Sequence, residues 1–298
     1  MSEPRFGRVL TAMVTPFSRD GSIDFDVAAQ LARFLVDEGS EGLVVGGSTG
    51  EGSSLSDDEK LSLFACVAEA VTVPVLAGST FANTQQSVAL TAQVKGTGAA
   101  GVLATTPAYA RPNQAGIAAH LGAIAESTPL AVMLYDIPVR TGRKIASATL
   151  VDLVRTHQNI VAVKDASGDL VAAGHSKSVL GDELDLYSGD DAMVLPFMGV
   201  GAVGLVSVAA HWAGPEVAGI VHAARESNWE EARRLNEVAA ASFAFESTEA
   251  YPNPMPAKAA LRALGLNVGE CRLPHGPSDP ELDAAAAEIV ASLKTARA

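Results

Sequence analysis

A chain of 298 residues has room for a closed α/β barrel, which takes about 250 residues as a single domain, and for an extension beyond it. Hydrophobic residues at 48%, charged residues at 18% and aromatics at 5% exclude a disordered chain and predict a large aliphatic core. The 21 Lys and Arg against 34 Asp and Glu give a net charge of −13. That balance excludes a broad surface for nucleic acid or anionic membrane, so an anionic substrate needs a local cationic site.

In chain order, short apolar runs alternate with helical patterns. A first strand is predicted near 8–14, and Asp24 then opens a helix over 26–38. A second strand near 42–46 runs into Gly46-Gly47-Ser48-Thr49-Gly50-Glu51. Ser56 with Glu59 three residues on reads as a capping box for a helix over 56–71. Strands near 74–78, 101–105, 131–135, 160–164, 185–188 and 203–207 follow. Helices near 84–97, 114–126, 147–156, 169–180, 190–198 and 214–226 separate and close them. Strands alternating with helices imply parallel βα units, and eight of each predict closure into a (β/α)8 TIM barrel. Beyond residue 226 only Ala- and Glu-rich helices are predicted, near 229–243, 256–264 and 279–295, with Trp229 as an anchor. The chain thus divides into a barrel over 1–226 and a C-terminal helical extension over 227–298.

Residues Ala192 to Ala210 form an uncharged apolar run of membrane-span length, but Pro196, Gly199, Gly201 and Gly204 interrupt it. A short buried helix followed by a buried strand is the better reading. Gly199 to Gly204 also matches a dinucleotide fingerprint. There the helix precedes the glycines, whereas a pyrophosphate must meet a helix N-terminus, so an open doubly wound nucleotide-binding sheet is disfavoured. Met1 to Phe6 lacks the basic and apolar regions of an export signal. Two cysteines, Cys66 and Cys271, support no disulfide framework and point to a cytoplasmic setting.

Catalytic groups of such a barrel project from the C-terminal ends of its strands. The sixth strand carries Ile160-Val161-Ala162-Val163 straight into Lys164. An amine at the rim of an aliphatic cavity loses its proton readily, and the free amine attacks a ketone. The competing reading has Lys164 capping the strand and reaching to solvent. The loop at Ser48 and Thr49 offers hydroxyls and amides to a carboxylate, without the Lys of a phosphate loop. The fifth strand ends in Tyr135, a phenol able to relay protons, followed by Arg140, a guanidinium able to clamp a carboxylate. Either could equally be a packing aromatic or a surface ion-pair partner.

Together these motifs resemble the dihydrodipicolinate synthase / N-acetylneuraminate lyase family. The series runs from Leu10-Thr11-Ala12-Met13-Val14-Thr15-Pro16-Phe17 through Gly47 to Glu51, Thr106-Pro107-Ala108-Tyr109 and Tyr135-Asp136-Ile137-Pro138. Lys164 to Asp169, Ser188-Gly189-Asp190-Asp191 and Asn253 to Lys258 complete it. The resemblance implies that Lys164 forms a Schiff base with pyruvate, that Tyr135 shuttles protons, and that Thr49 links Tyr135 to Tyr109 of a neighbouring subunit. It further implies that Ser48 and Thr49 hold the pyruvate carboxylate, and that Gly189 and Val206 line the same pocket. A homotetramer built from dimers follows from the same likeness.

The Arg140-Thr141-Gly142 segment and Pro107 to Pro112 are similar to the family's synthases, which join pyruvate to aspartate semialdehyde with Arg140 on the second carboxylate. Gly47-Ser48-Thr49 is closer to its sugar-acid aldolases, the N-acetylneuraminate lyases and 2-keto-3-deoxygluconate aldolases, so these stay as alternatives. A non-catalytic keto-acid-binding relative is a third. No metal or nucleotide cofactor is expected, because the protonated imine is the electron sink and the six histidines form no zinc-aldolase motif. Ala108, Gly52, Asp57, Lys60 and Gln86 depart from the lysine-feedback pocket of sensitive relatives, which predicts weak or absent inhibition by L-lysine.

Overall fold

A computed structural model describes residues 3–80 and 82–297. Eight strands close into one parallel barrel in the order of the chain. They are β1 (Val9–Ala12), β2 (Gly42–Val45), β3 (Val75–Gly78), β4 (Gly101–Thr105), β5 (Ala131–Asp136), β6 (Ile160–Asp165), β7 (Asp185–Ser188) and β8 (Gly204–Ser207). Around them lie α1 (Phe25–Asp37), α2 (Asp57–Ala70), α3 (Thr84–Val94), α4 (Gln114–Glu126), α5 (Pro138–Thr141), α6 (Ser147–Thr156), α7 (Leu170–Leu180), α8 (Val194–Gly199) and α9 (Ala210–Arg225). The tail supplies α10 (Trp229–Phe245), α11 (Met255–Ala263) and α12 (Pro280–Arg297).

Every predicted strand is present. The caps read from sequence are present too: Asp24 accepts from Val27 N at 3.1 Å, and Ser56 with Glu59 forms a reciprocal box. Three differences have local causes. Pro138 sets the fixed φ of a first helical turn, so the loop after β5 contains the one-turn α5. The last barrel helix begins at Ala210 rather than 214, because two helical pieces join across a kink at Ala213 just before Pro215. Trp229 is exposed, and Trp212 makes the contact between α9 and α10, edge-on to Phe245 at 5.8 Å.

The strand alternation decides the chemistry. Leu10, Val44, Leu76, Leu103, Met133, Ala162, Tyr187 and Val206 point inward and fill the barrel, with Phe6 closing its base. Val9, Leu43, Val75, Val102, Val132, Val163 and Leu205 point outward into the layer beneath the helices. Counting two residues on from Met133 and from Ala162 brings Tyr135 and Lys164 to the inward face at the C-terminal rim. The register pairs these two directly across β5 and β6.

The apolar run after residue 192 forms α8 and then β8, and no helix among the described residues is long and apolar enough to cross a membrane. The glycine run sits between that helix and that strand, the order predicted against dinucleotide binding. Cys66 and Cys271 are both free thiols.

Candidate active site

The loop after β2 is shaped by glycine. A Cβ at Gly52 would meet the carbonyl oxygen of Gly46 at 2.0 Å, so the chain folds back on itself only without a side chain there. Thr15 donates its hydroxyl to Gly50 O at 2.6 Å. Glu51 adopts a left-handed conformation, φ 53°, unusual for a residue with a Cβ. Its carboxylate is held from the helical tail, with Oε1 2.7 Å from Lys258 Nζ and Oε2 accepting from Arg272 N at 2.8 Å. This folding presents Ser48 and Thr49 to a cavity of about 170 Å³ at the mouth of the barrel.

Lys164 lines that cavity and is 4% exposed. Its Nζ lies 4.4 Å from the centre of the Tyr135 ring. Burial pulls the amine down to about 8, against the opposing pull of Asp191 and Glu246. Burial also raises the Tyr135 phenol above its ordinary value, so it stays protonated until another group takes the proton. Arg140, Gly189, Asp190, Val208, Glu246, Ser247 and Asn253 share the cavity. Lys164 therefore does not reach to solvent, and Tyr135 faces the same cavity.

Of the residues predicted from sequence, Lys164, Tyr135, Ser48, Thr49, Arg140 and Gly189 come together here. Val206 is one layer deeper, in the barrel interior with Tyr135 and Ala162, and Val208 forms the apolar wall instead. Tyr109 stands apart: it is 98% exposed at φ 67°. Within one chain Thr49 Oγ1 is met by Asn253 Nδ2 at 2.9 Å rather than by Tyr109.

Three site residues had no role in the sequence reading. Asn253 comes from the tail, 204 positions along the chain from Thr49. Asp191 is buried and anchored by Ser207 Oγ and by Val208 N at 2.8 Å. Glu246, just after α10, brings a third carboxyl. His211 is fixed as a neutral imidazole, with Nε2 accepting from Val14 N at 3.1 Å and Nδ1 against Val208 O at 2.7 Å. Burial lowers it to about 4, so it packs rather than titrates near neutrality. No group of three or more His, Cys, Asp or Glu able to hold a metal ion occurs among the described residues.

A second cavity, of about 370 Å³, lies behind Ser48 and Arg140 and is lined also by Lys60, Thr106, Ala108 and His275. Lys60 is 1% exposed, and burial pulls its amine down to about 8. Two cationic side chains and no carboxylate face this space among the described residues.

The model of the dihydrodipicolinate synthetase family matches residues 5–293. The 4-hydroxy-tetrahydrodipicolinate synthase of Synechococcus sp. (strain WH7803) is 44% identical over 297 residues, 99% of this chain and 97% of that protein. The crystal structure of a dihydrodipicolinate synthase from Bacillus anthracis superposes with a TM-score of 0.93 at 39% identity, covering 97% of this chain and 99% of the other. The enzyme from Cyanidioschyzon merolae with lysine bound gives a TM-score of 0.94 at 37% identity, covering 98% and 99%. With a lysine on the inward face of β6, a facing phenol and this match over nearly its full length, the chain belongs to the dihydrodipicolinate synthetase family.

Proposed function

We propose that the chain is a 4-hydroxy-tetrahydrodipicolinate synthase, condensing pyruvate with L-aspartate 4-semialdehyde through an imine on Lys164. The observation that carries this reading is the buried Lys164 amine in one cavity with Ser48, Thr49, Tyr135 and Arg140. The amine attacks the pyruvate ketone, the carbinolamine loses water, and a methyl proton leaves to give an enamine that adds to the aldehyde. Ser48 and Thr49 take the pyruvate carboxylate, Tyr135 moves protons, and Arg140 takes the carboxylate of the second substrate. The protonated imine withdraws the electrons, so the cycle calls for no metal or nucleotide. Gly189 and Val206 complete the pocket and its floor.

Borohydride reduction in the presence of pyruvate is expected to add a pyruvate-derived mass to Lys164, and absence of that mass sinks the reading. Offering aspartate semialdehyde, N-acetylneuraminate and 2-keto-3-deoxygluconate in turn separates the synthase from the sugar-acid aldolases. Arg140→Ala is expected to raise KM for aspartate semialdehyde by about 10- to 100-fold, the worth of a charged hydrogen bond, with pyruvate trapping intact. An unchanged KM removes Arg140 from that role.

The exposed Tyr109 supports a homotetramer in which this residue completes a neighbour's site, in a cytoplasmic enzyme. We also read 1–226 as the catalytic barrel and 227–298 as an extension that closes its mouth through Glu246 and Asn253. Lys60 and Arg140 facing the second cavity repel the ammonium groups of L-lysine. Initial rates are accordingly expected to stay unchanged in millimolar L-lysine, and half-inhibition below that range refutes the expectation.

A further inference from the structure

Glu246 is the buried carboxyl that the cycle above leaves unused. It reaches the cavity from the tail, where its buried Oε2 meets no N–H or hydroxyl donor among the described residues and the carboxyl hydrogen-bonds the Asp191 carboxylate. The charged and titratable groups around it are Asp190 and Asp191 after β7, Lys164 on β6, and Arg140 and Tyr135 from the end of β5. Burial, with Asp191 and Asp190 beside it, holds this carboxyl well above the usual carboxylate range, while Lys164 pulls the other way. Asp191 is already committed to Ser207 and to the amides of Val208 and Ala209, so it is poorly placed to give or take a proton.

We infer that Glu246 is the catalytic acid of imine formation, giving its proton to the hydroxyl that leaves the carbinolamine on Lys164. The inference rests on the Schiff-base reading of Lys164. As the nitrogen lone pair closes the C=N bond, the C–O bond breaks and the hydroxyl departs as water with the Glu246 proton. A neutral acid and a neutral carbinolamine become a carboxylate, an iminium and water, so charge is conserved. The iminium is a fixed cation where the amine was, and it favours the carboxylate left behind. Proton loss from Glu246 and formation of the imine thus drive each other. After addition of the enamine, the same carboxylate is the base for the water that releases the product.

The test is the rate at which the wild-type protein and Glu246→Gln form the imine with pyruvate alone, quenched by borohydride and read as mass on Lys164. Glutamine keeps the shape and a hydrogen bond to Asp191 but has no acidic proton, so a merely structural Glu246 leaves the rate untouched. The expected result is imine formation slowed by about 100-fold to the same final labelling, with pyruvate affinity near wild type. Should the glutamine variant not fold, Glu246→Asp decides: its acid is withdrawn by one methylene, and imine formation is expected to slow at least ~10-fold. A rate within twofold of wild type in the folded variant overturns the inference alone. No labelling of the wild type overturns the Schiff-base reading and this inference with it.

Discussion

Lys164→Met is expected to lower turnover by roughly 10⁴-fold or more, the scale on which loss of a covalent nucleophile acts, while leaving a protein more stable than the wild type at pH 7. The two effects share one cause. The Lys164 amine is buried in the cavity at the barrel mouth, where burial pulls it from 10.5 down to about 8. Between those values the unfolded chain binds a proton that the native chain does not, so the lysine's contribution to stability rises with pH from about 8 to 10.5. Below about 8 the protonated amine is buried at full cost, about 3 kcal/mol at about 1.4 kcal/mol per pKa unit. Methionine fills the same space without a charge. Urea denaturation at pH 7 should show the gain, and the difference should shrink at pH 10. The rate of pyruvate trapping in the wild type should rise as pH passes through about 8. Retained turnover, or a variant less stable than wild type at pH 7, contradicts the account.

Much of this site was legible because parallel barrel strands are buried on both faces and read as unbroken apolar runs. Where such a run ends in a polar residue, as in Ala162-Val163-Lys164-Asp165, the two-residue period of a strand fixes which residue faces inward. Lys164 and Tyr135 follow from that rule. The tail offers no comparable rule. Glu246 and Lys258 sit among Ala-, Glu- and Arg-rich segments whose other charges face water, and nothing local separates an inward charge from an outward one. Their partners, Asp191 and Glu51, are distant in sequence and meet them only once the extension folds over the barrel mouth. Asn253 was readable as part of a motif, but its bond to Thr49 depends on the same closure. Tyr109 was assigned to the site by resemblance alone, and in a single chain it projects into solvent.

Lys258→Met is expected to cost about 3–5 kcal/mol of stability and to raise KM for pyruvate, although Lys258 lines no part of the cavity. Lys258 and Glu51 form an ion pair with side chains 1% and 0% exposed. The Lys258 ammonium also donates to Glu270 O at 2.9 Å and lies 4.2 Å from the centre of the Phe17 ring. Burial lowers the lysine, and Glu51 opposes that shift. Removing the cation leaves a fully buried carboxylate with only neutral partners, the Arg272 amide and the Cys271 thiol, in direct contact, an outcome costlier than the pair itself was favourable. Glu51 stands at φ 53°, a conformation a non-glycine residue keeps only when its surroundings hold it. Released, it relaxes toward ordinary angles and carries Ser48 and Thr49, three and two positions before it, away from the pyruvate carboxylate. Replacing both charges, Lys258→Met with Glu51→Gln, is therefore expected to recover part of the stability, because no buried charge is left unpaired. The strained turn still lacks its anchor in that double variant, so its KM for pyruvate should stay raised. A double variant that restores stability and KM together would mean that the ion pair holds the tail in place without setting the geometry of the loop.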